Sequence, residues 1–509
     1  MRQHRTKGRT GGAARPSPIW RSRNYRGAKL KRPKQLNTPS SVPINVQPRE
    51  PDVWAETKWS KLGALLFFLL AGFAPRAQAN VTVLLEEPYS YDGALAGTGH
   101  TAVYLSRVCA ATPVTLRRCT PGEHGVVISR YARIGGYDWI AIPLVPYLYA
   151  VENPEDIPLY ADPKLETFLR DQYRRAHLEG IAPDAPGGEM PMGDWYELIG
   201  SSYDRTNYGF EIETTPEQDN ALMAWLNSQR NRATYKVVSR NCADFVREVL
   251  DFYYPHSVAR GSIADLGVST PKHAAKSLVR YSKRHPDLES TQFVIPQVPG
   301  SVKRSRPVRG VLESVFRAKK YVVVLAAFHP LIAGGLVSAD LVSDRFNSEK
   351  NSLVFSLTGA PLFPPTNAER RIFMKDLQTV GANGADRDAT AGMITWRKFV
   401  EKSEPQFDAD GQPVLKAPAE PDGKDTVELG VTRRDLQSEG APVELQRELM
   451  VSLLKQTLAN SRAPRISSSE LREDLQLLEK IEESGQERLS KEFDQENRPV
   501  SQKPDRSSD

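Results

Sequence analysis

Cysteine is scarce in this chain. Three cysteines, Cys109, Cys119 and Cys242, serve 509 residues, with only eight histidines beside them. No CxxC or HxxxH pair occurs, so the spacings that build the common zinc sites are missing, and no metal or cofactor is expected. No segment recurs with the period of a solenoid. An excess of one charge sign is also missing from most of the chain. Residues 1–50 hold 13 of the 68 Lys and Arg and only one of the 62 acids, Glu50, which leaves 55 basic and 61 acidic residues elsewhere. The net +6 therefore belongs to an N-terminal arm. Nucleic acid would be a partner only if that arm survived in the mature protein, and none is expected.

Long apolar runs number two. The first lies in "KLGALLFFLLAGFAPRAQA", residues 61–79: a lysine, an apolar stretch from Leu62 to Ala74, then Ala77-Gln78-Ala79. This is the layout of a secretory signal peptide with an A-x-A cleavage site, and the stretch is short for a membrane span. Residues 1–58 then read as a basic, disordered segment. Translation starting downstream, at Val53 through an alternative start codon, would leave most of it unmade. Residues 59–79 are the signal, and mature protein is expected to begin at Asn80, exported to the periplasm or cell envelope. The second run, "YVVVLAAFHPLIAGGLVSA" (321–339), is just long enough to span a bilayer, but Pro330 and Gly334-Gly335 interrupt it. Its basic N-terminal flank opposes the positive-inside tendency for an exported domain. A hydrophobic or transmembrane segment over 321–342, lying on, in or across a membrane, is the expectation.

Export bears on the cysteines. Cys109 and Cys119 flank "AATPVTLRR" and suit a disulfide across a loop in an oxidising compartment. Cys242 is left as a free thiol. Between 80 and 281 the pattern alternates strands and helices, an α+β arrangement. "NVTVLL", "GHTAVYLS", "HGVVISRY", the start of "YDWIAIPLVPYLYAV" and "YGFEIE" read as strands, and "TYKVV" leads into the stretch around Cys242. "DPKLETFLRDQYRRAH" reads as a helix capped by Asp162, and Thr215-Pro216-Glu217-Gln218 as a capping box. Residues 282–320 are basic and proline-containing, a linker. Residues 343–489 are polar, with helices expected over 442–459 and 469–483 and Ser467 as a cap; 490–509 read as a disordered tail.

"NCADFVREVL" (241–250) carries the chemistry. Phe245, Val249 and Phe252 recur at helical spacing, and Asn241 suits an N-cap. Cys242 then becomes the first helical residue. Free N–H groups and the positive dipole end there lower a thiol pKa, which favours a nucleophile. A cysteine nucleophile needs a base, usually His. His4 lies in the basic arm and His329 in the apolar run, and His177, His256, His273 and His285 lie on patterns with nothing catalytic beside them. His100 and His124 remain, each opening an apolar strand.

"GHTAVYL" (99–105) followed later by "NCADFV" (241–246) resembles the circularly permuted branch of the papain-like, NlpC-related superfamily, which includes the lecithin:retinol acyltransferase-like proteins and bacterial envelope families. The resemblance covers about residues 90–255. It implies an antiparallel sheet packed on helices, with Cys242 as nucleophile and His100 as base. It places the residue that orients the base on the next strand, which makes His124 the candidate, with Glu123 and Ser129 behind it. The implied chemistry is acyl transfer. Peptide amides of the cell envelope are the expected substrate. Lipid esters are the alternative, cleaved or transferred by a membrane-associated acyltransferase or phospholipase, as is a non-catalytic envelope-binding module that keeps the fold.

Overall fold

The computed structural model describes residues 79–496, apart from 90–97, 133, 192–193, 260–264, 266, 312, 315–326, 329–333, 335–337, 339–345, 349, 358–361, 384–395, 420–424, 438–441 and 460–465. The basic arm, nearly all of the signal-peptide segment, most of the apolar run over 321–342 and the tail from 497 lie outside the described residues. No helix among the described residues is long and apolar enough to cross a membrane.

A seven-stranded mixed sheet organises the front of the chain. Its strands are β1 (Ala79–Glu86), β2 (His100–Leu105), β5 (Val126–Ser129), β6 (Ile140–Pro143), β7 (Asn207–Thr214), β8 (Ser290–Ile295) and β9 (Leu353–Val354). They lie in the order β6-β5-β2-β1-β7-β8-β9. Neighbours are antiparallel except β8 and β9, which are parallel. A separate hairpin, β3 (Val108–Thr112) and β4 (Thr115–Arg118), carries the expected Cys109–Cys119 disulfide.

Both faces of the sheet are covered, which explains why β2 is buried at every position. Because side chains alternate along a strand, the two cores divide its residues. Val81, Val83, Leu85, Val103 and Leu105 meet α4 (Pro216–Ser228), α5 (Cys242–Tyr253) and α6 (Pro271–Arg284) on one face. Leu84, Ala102 and Tyr104 meet α1 (Leu144–Tyr149), α2 (Pro163–His177) and α3 (Ser201–Asp204) on the other. Pro143 and Pro146 do break the strand at β6, and the chain turns directly into α1.

The segment read as a linker, 282–320, is structural over its described residues. α6 runs into it as far as Arg284, and β8 pairs with β7 over six residues. Charge and proline content suggested a linker, but Phe293, Val294 and Ile295 are buried in the sheet. The C-terminal region is neither detached nor simply helical. α7 (Asn367–Asn383), α8 (Trp396–Lys402), α9 (Val443–Ala459) and α10 (Ser468–Glu496) accompany a three-stranded antiparallel sheet, β10 (Glu404–Phe407), β11 (Pro413–Pro418) and β12 (Thr426–Gly430). Phe399, Leu415, Leu449 and Leu478 join the same apolar cluster as Leu84 and Tyr147. Gln456 on α9 bonds both backbone groups of Gly300. α10 continues to Glu496, well past the expected end at Glu483.

Candidate active site at the tip of α5

Local chemistry fixes the start of α5. The Asn241 side chain accepts from the Asp244 N–H at 2.9 Å, and Asp244 accepts from the Asn241 N–H at 3.2 Å, a reciprocal capping box. The Asn241 amide also donates to the carbonyls of Val237 and Ser269, and Ser269 donates to Asp244. Phe245, Val246, Val249 and Leu250 then anchor the helix on the sheet, each stabilising by about 1.5–3 kcal/mol. Cys242 is the first helical residue, as expected, and is 6% exposed.

The sulfur lies near β2, where the Thr101 backbone is close enough to favour the thiolate. The reason is strand geometry. The Thr101 carbonyl accepts from Ser129 Oγ at 2.7 Å, on the β5 side, and a residue's N–H and C=O point the same way along a strand. The β2–β5 pairing runs over Val103 to Leu105, and the Thr101 N–H lies beyond it, on the side of the tip of α5.

His100 is 8% exposed and sits on the face opposite the body of α5. Its ring stacks on Tyr131 with centroids 5.0 Å apart, and its Nε2 is 3.0 Å from Ser129 Oγ. Glu86 is its cross-strand neighbour. That carboxylate pairs with Arg205 at 3.2 Å and accepts a bond from Tyr147.

His124 is not brought to this group. It lies beyond the Leu105 end of β2, where its carbonyl accepts from Tyr104 at 2.8 Å. At the rise of a strand that end is roughly 15 Å from His100. Glu123 is there too, paired with Arg117. The polar group that touches His100 is Ser129, because the register brings the far end of β5 beside it. Cys109 and Cys119 are also in this outer region. With Glu123 they form the one group of possible metal ligands within range among the described residues, and the two sulfurs are bonded to each other.

Electrostatics correct the expectation of a low-pKa thiol. Burial pushes Cys242 up to about 12, and the Thr101 and Ala243 N–H groups only partly oppose it, against further upward pressure from Glu197 and Glu86. Burial, reinforced by Arg205, lowers His100 to about 3. The helix start does favour the thiolate, but desolvation outweighs it. At neutral pH Cys242 is therefore a thiol and His100 a neutral imidazole.

Tyr235 was not foreseen as a site residue. Its hydroxyl is within hydrogen-bonding reach of both the Cys242 N–H and the sulfur. It stands just before a tight turn, Lys236 to Arg240, with Val237 and Val238 exposed. Glu197, on the 3₁₀ turn Asp194–Leu198, acts electrostatically on both Cys242 and Tyr235. Comparison of the chain with family models, with curated proteins and with solved structures finds no match in any of the three.

Proposed function

We propose that the chain is an exported, thiol-dependent acyl-transfer enzyme with a permuted papain-like domain, acting on peptide amides of the cell envelope. The observation that carries this reading is the nearness of the Cys242 sulfur to the backbone of Thr101, the residue after His100, with Ser129 holding the imidazole. With Nε2 engaged by Ser129, Nδ1 is the ring nitrogen left to take the thiol proton. A neutral imidazole is the form able to act as base, and a neutral thiol supplies the proton. The sulfur attacks the substrate carbonyl and the imidazole receives its proton. The tetrahedral oxygen is stabilised by the Cys242 N–H at the helix start, with the Tyr235 hydroxyl beside it. The imidazolium then protonates the leaving amine, and water resolves the thioester.

The deciding experiment offers peptidoglycan fragments and phospholipid vesicles to the purified protein and reads its intact mass. A peptidyl adduct on wild type that is absent from Cys242→Ala supports the reading. A fatty-acyl adduct transfers the same chemistry to lipid esters. No adduct from either, with Cys242 intact, leaves a binding module and refutes the enzyme.

A further inference from the structure

One buried cation is placed to tune this site from behind. Arg130 directly follows Ser129, the last residue of β5, and the two side chains go to opposite faces of the sheet, Ser129 to His100 and Arg130 to Phe245. Ser129 reaches His100, and Arg130 reaches the start of α5. The Arg130 side chain is 1% exposed. It binds Asp138 with two nitrogens, at 2.8 and 3.0 Å, and Glu248 at 3.1 Å, and lies over the Phe245 ring. Its remaining terminal nitrogen donates to the Asn241 carbonyl at 3.4 Å. Arg240 closes the arrangement by binding the same Asp138.

The Asn241 carbonyl and the Cys242 N–H belong to a single peptide unit. We infer that Arg130 is a positioning residue for the oxyanion site: it fixes and polarises the Asn241–Cys242 peptide from its carbonyl end, so that its N–H is oriented and strengthened as a donor. A charge-assisted bond to the oxygen of an amide draws electron density from its nitrogen and makes the N–H a better donor. Two carboxylates, Asp138 and Glu248, hold the guanidinium in one place. The inference rests on the acyl-transfer reading of Cys242.

The test separates reactions that need an oxyanion site from one that does not. p-Nitrophenyl acetate acylates a thiol through a tetrahedral oxyanion: the S–C bond forms, the ester C–O bond breaks, p-nitrophenolate leaves and the thiol proton goes to His100. Iodoacetamide alkylates the same sulfur with loss of iodide and no oxyanion. Both rates are measured at Cys242 for wild type, Arg130→Met and Arg130→Lys, with melting curves for each. The ratio of acylation to alkylation is expected to fall roughly tenfold in Arg130→Met, less than the loss on removing an oxyanion donor outright. Arg130→Lys, which keeps a cation beside Asp138 but lacks the fork, should fall between, and it carries the test alone if Arg130→Met does not fold. An unchanged ratio, or both rates falling together with the melting temperature, overturns the inference and leaves Arg130 as a structural ion-pair residue. If wild type alkylates at Cys242 but never acylates, the acyl-transfer reading itself fails, and the inference with it.

Discussion

His100 should make the protein acid-sensitive, and the size of the effect follows from its surroundings. Burial among Tyr131, the neighbouring strands and Arg205 lowers its pKa from 6.5 to about 3. In the unfolded chain the imidazole protonates near 6.5, while in the folded protein it stays neutral. The stability from keeping it neutral is thus complete above 6.5 and is lost progressively as pH falls toward 3. Between pH 8 and pH 5 the loss is about 2 kcal/mol, at 1.36 kcal/mol per pKa unit. His100→Asn removes the titration. Urea unfolding of wild type and His100→Asn at both pH values isolates the term. The cost of the substitution should be about 2 kcal/mol smaller at pH 5 than at pH 8. An equal cost at both would mean that the folded imidazole titrates normally, and a larger one at pH 5 that folding raises its pKa; either would refute the electrostatic account of the site.

Other outcomes follow from the same geometry. Iodoacetamide at pH 7 should label Cys242 roughly three orders of magnitude more slowly than an unhindered peptide thiol, since a thiol near 12 holds far less thiolate than one near 8.5; labelling as fast as the free thiol would show that the helix start outweighs burial. Gly99 has φ +67°, and a Cβ there would stand 2.1 Å from the Glu86 carbonyl. Gly99→Ala should therefore destabilise by about 1–3 kcal/mol and lower acylation at Cys242 by displacing His100; a silent substitution would show that this end of β2 is not held. Breaking the disulfide with Cys109→Ser and Cys119→Ser together should cost about 2–3 kcal/mol in a melt while leaving Cys242 acylation intact, because the hairpin lies away from the site; loss of acylation in a folded variant would contradict that separation.

Local signals in the sequence read well. Asp162, Thr215, Asn241 and Ser467 each cap the helix they were expected to cap, since a capping side chain and its target N–H lie within a few residues. Contacts set by long-range register did not read well. Ser129 and His124 stand five residues apart on one segment, and only the β2–β5 register decides which meets His100. Ser290–Ile295 is short and set among basic residues, so its place beside β7 rests on pairing with a strand some eighty residues earlier. The C-terminal leucines were legible as helix seams but not as part of the core that backs the sheet. Tyr235 gave no periodic signal, because it lies in an irregular segment just before the turn over Lys236 to Arg240. Burial, which decides the Cys242 and His100 protonation, is a property of both elements packed together and of neither alone.

The central claim is that the sulfur at the tip of α5 forms an acyl-enzyme with His100 taking its proton. Peptide mapping after brief exposure to p-nitrophenyl acetate tests it most directly. The account predicts an acetyl group on Cys242 in wild type, greatly reduced in a folded His100→Asn variant. Acetylation only of lysines, or of Cys242 at the same rate with and without His100, would contradict it.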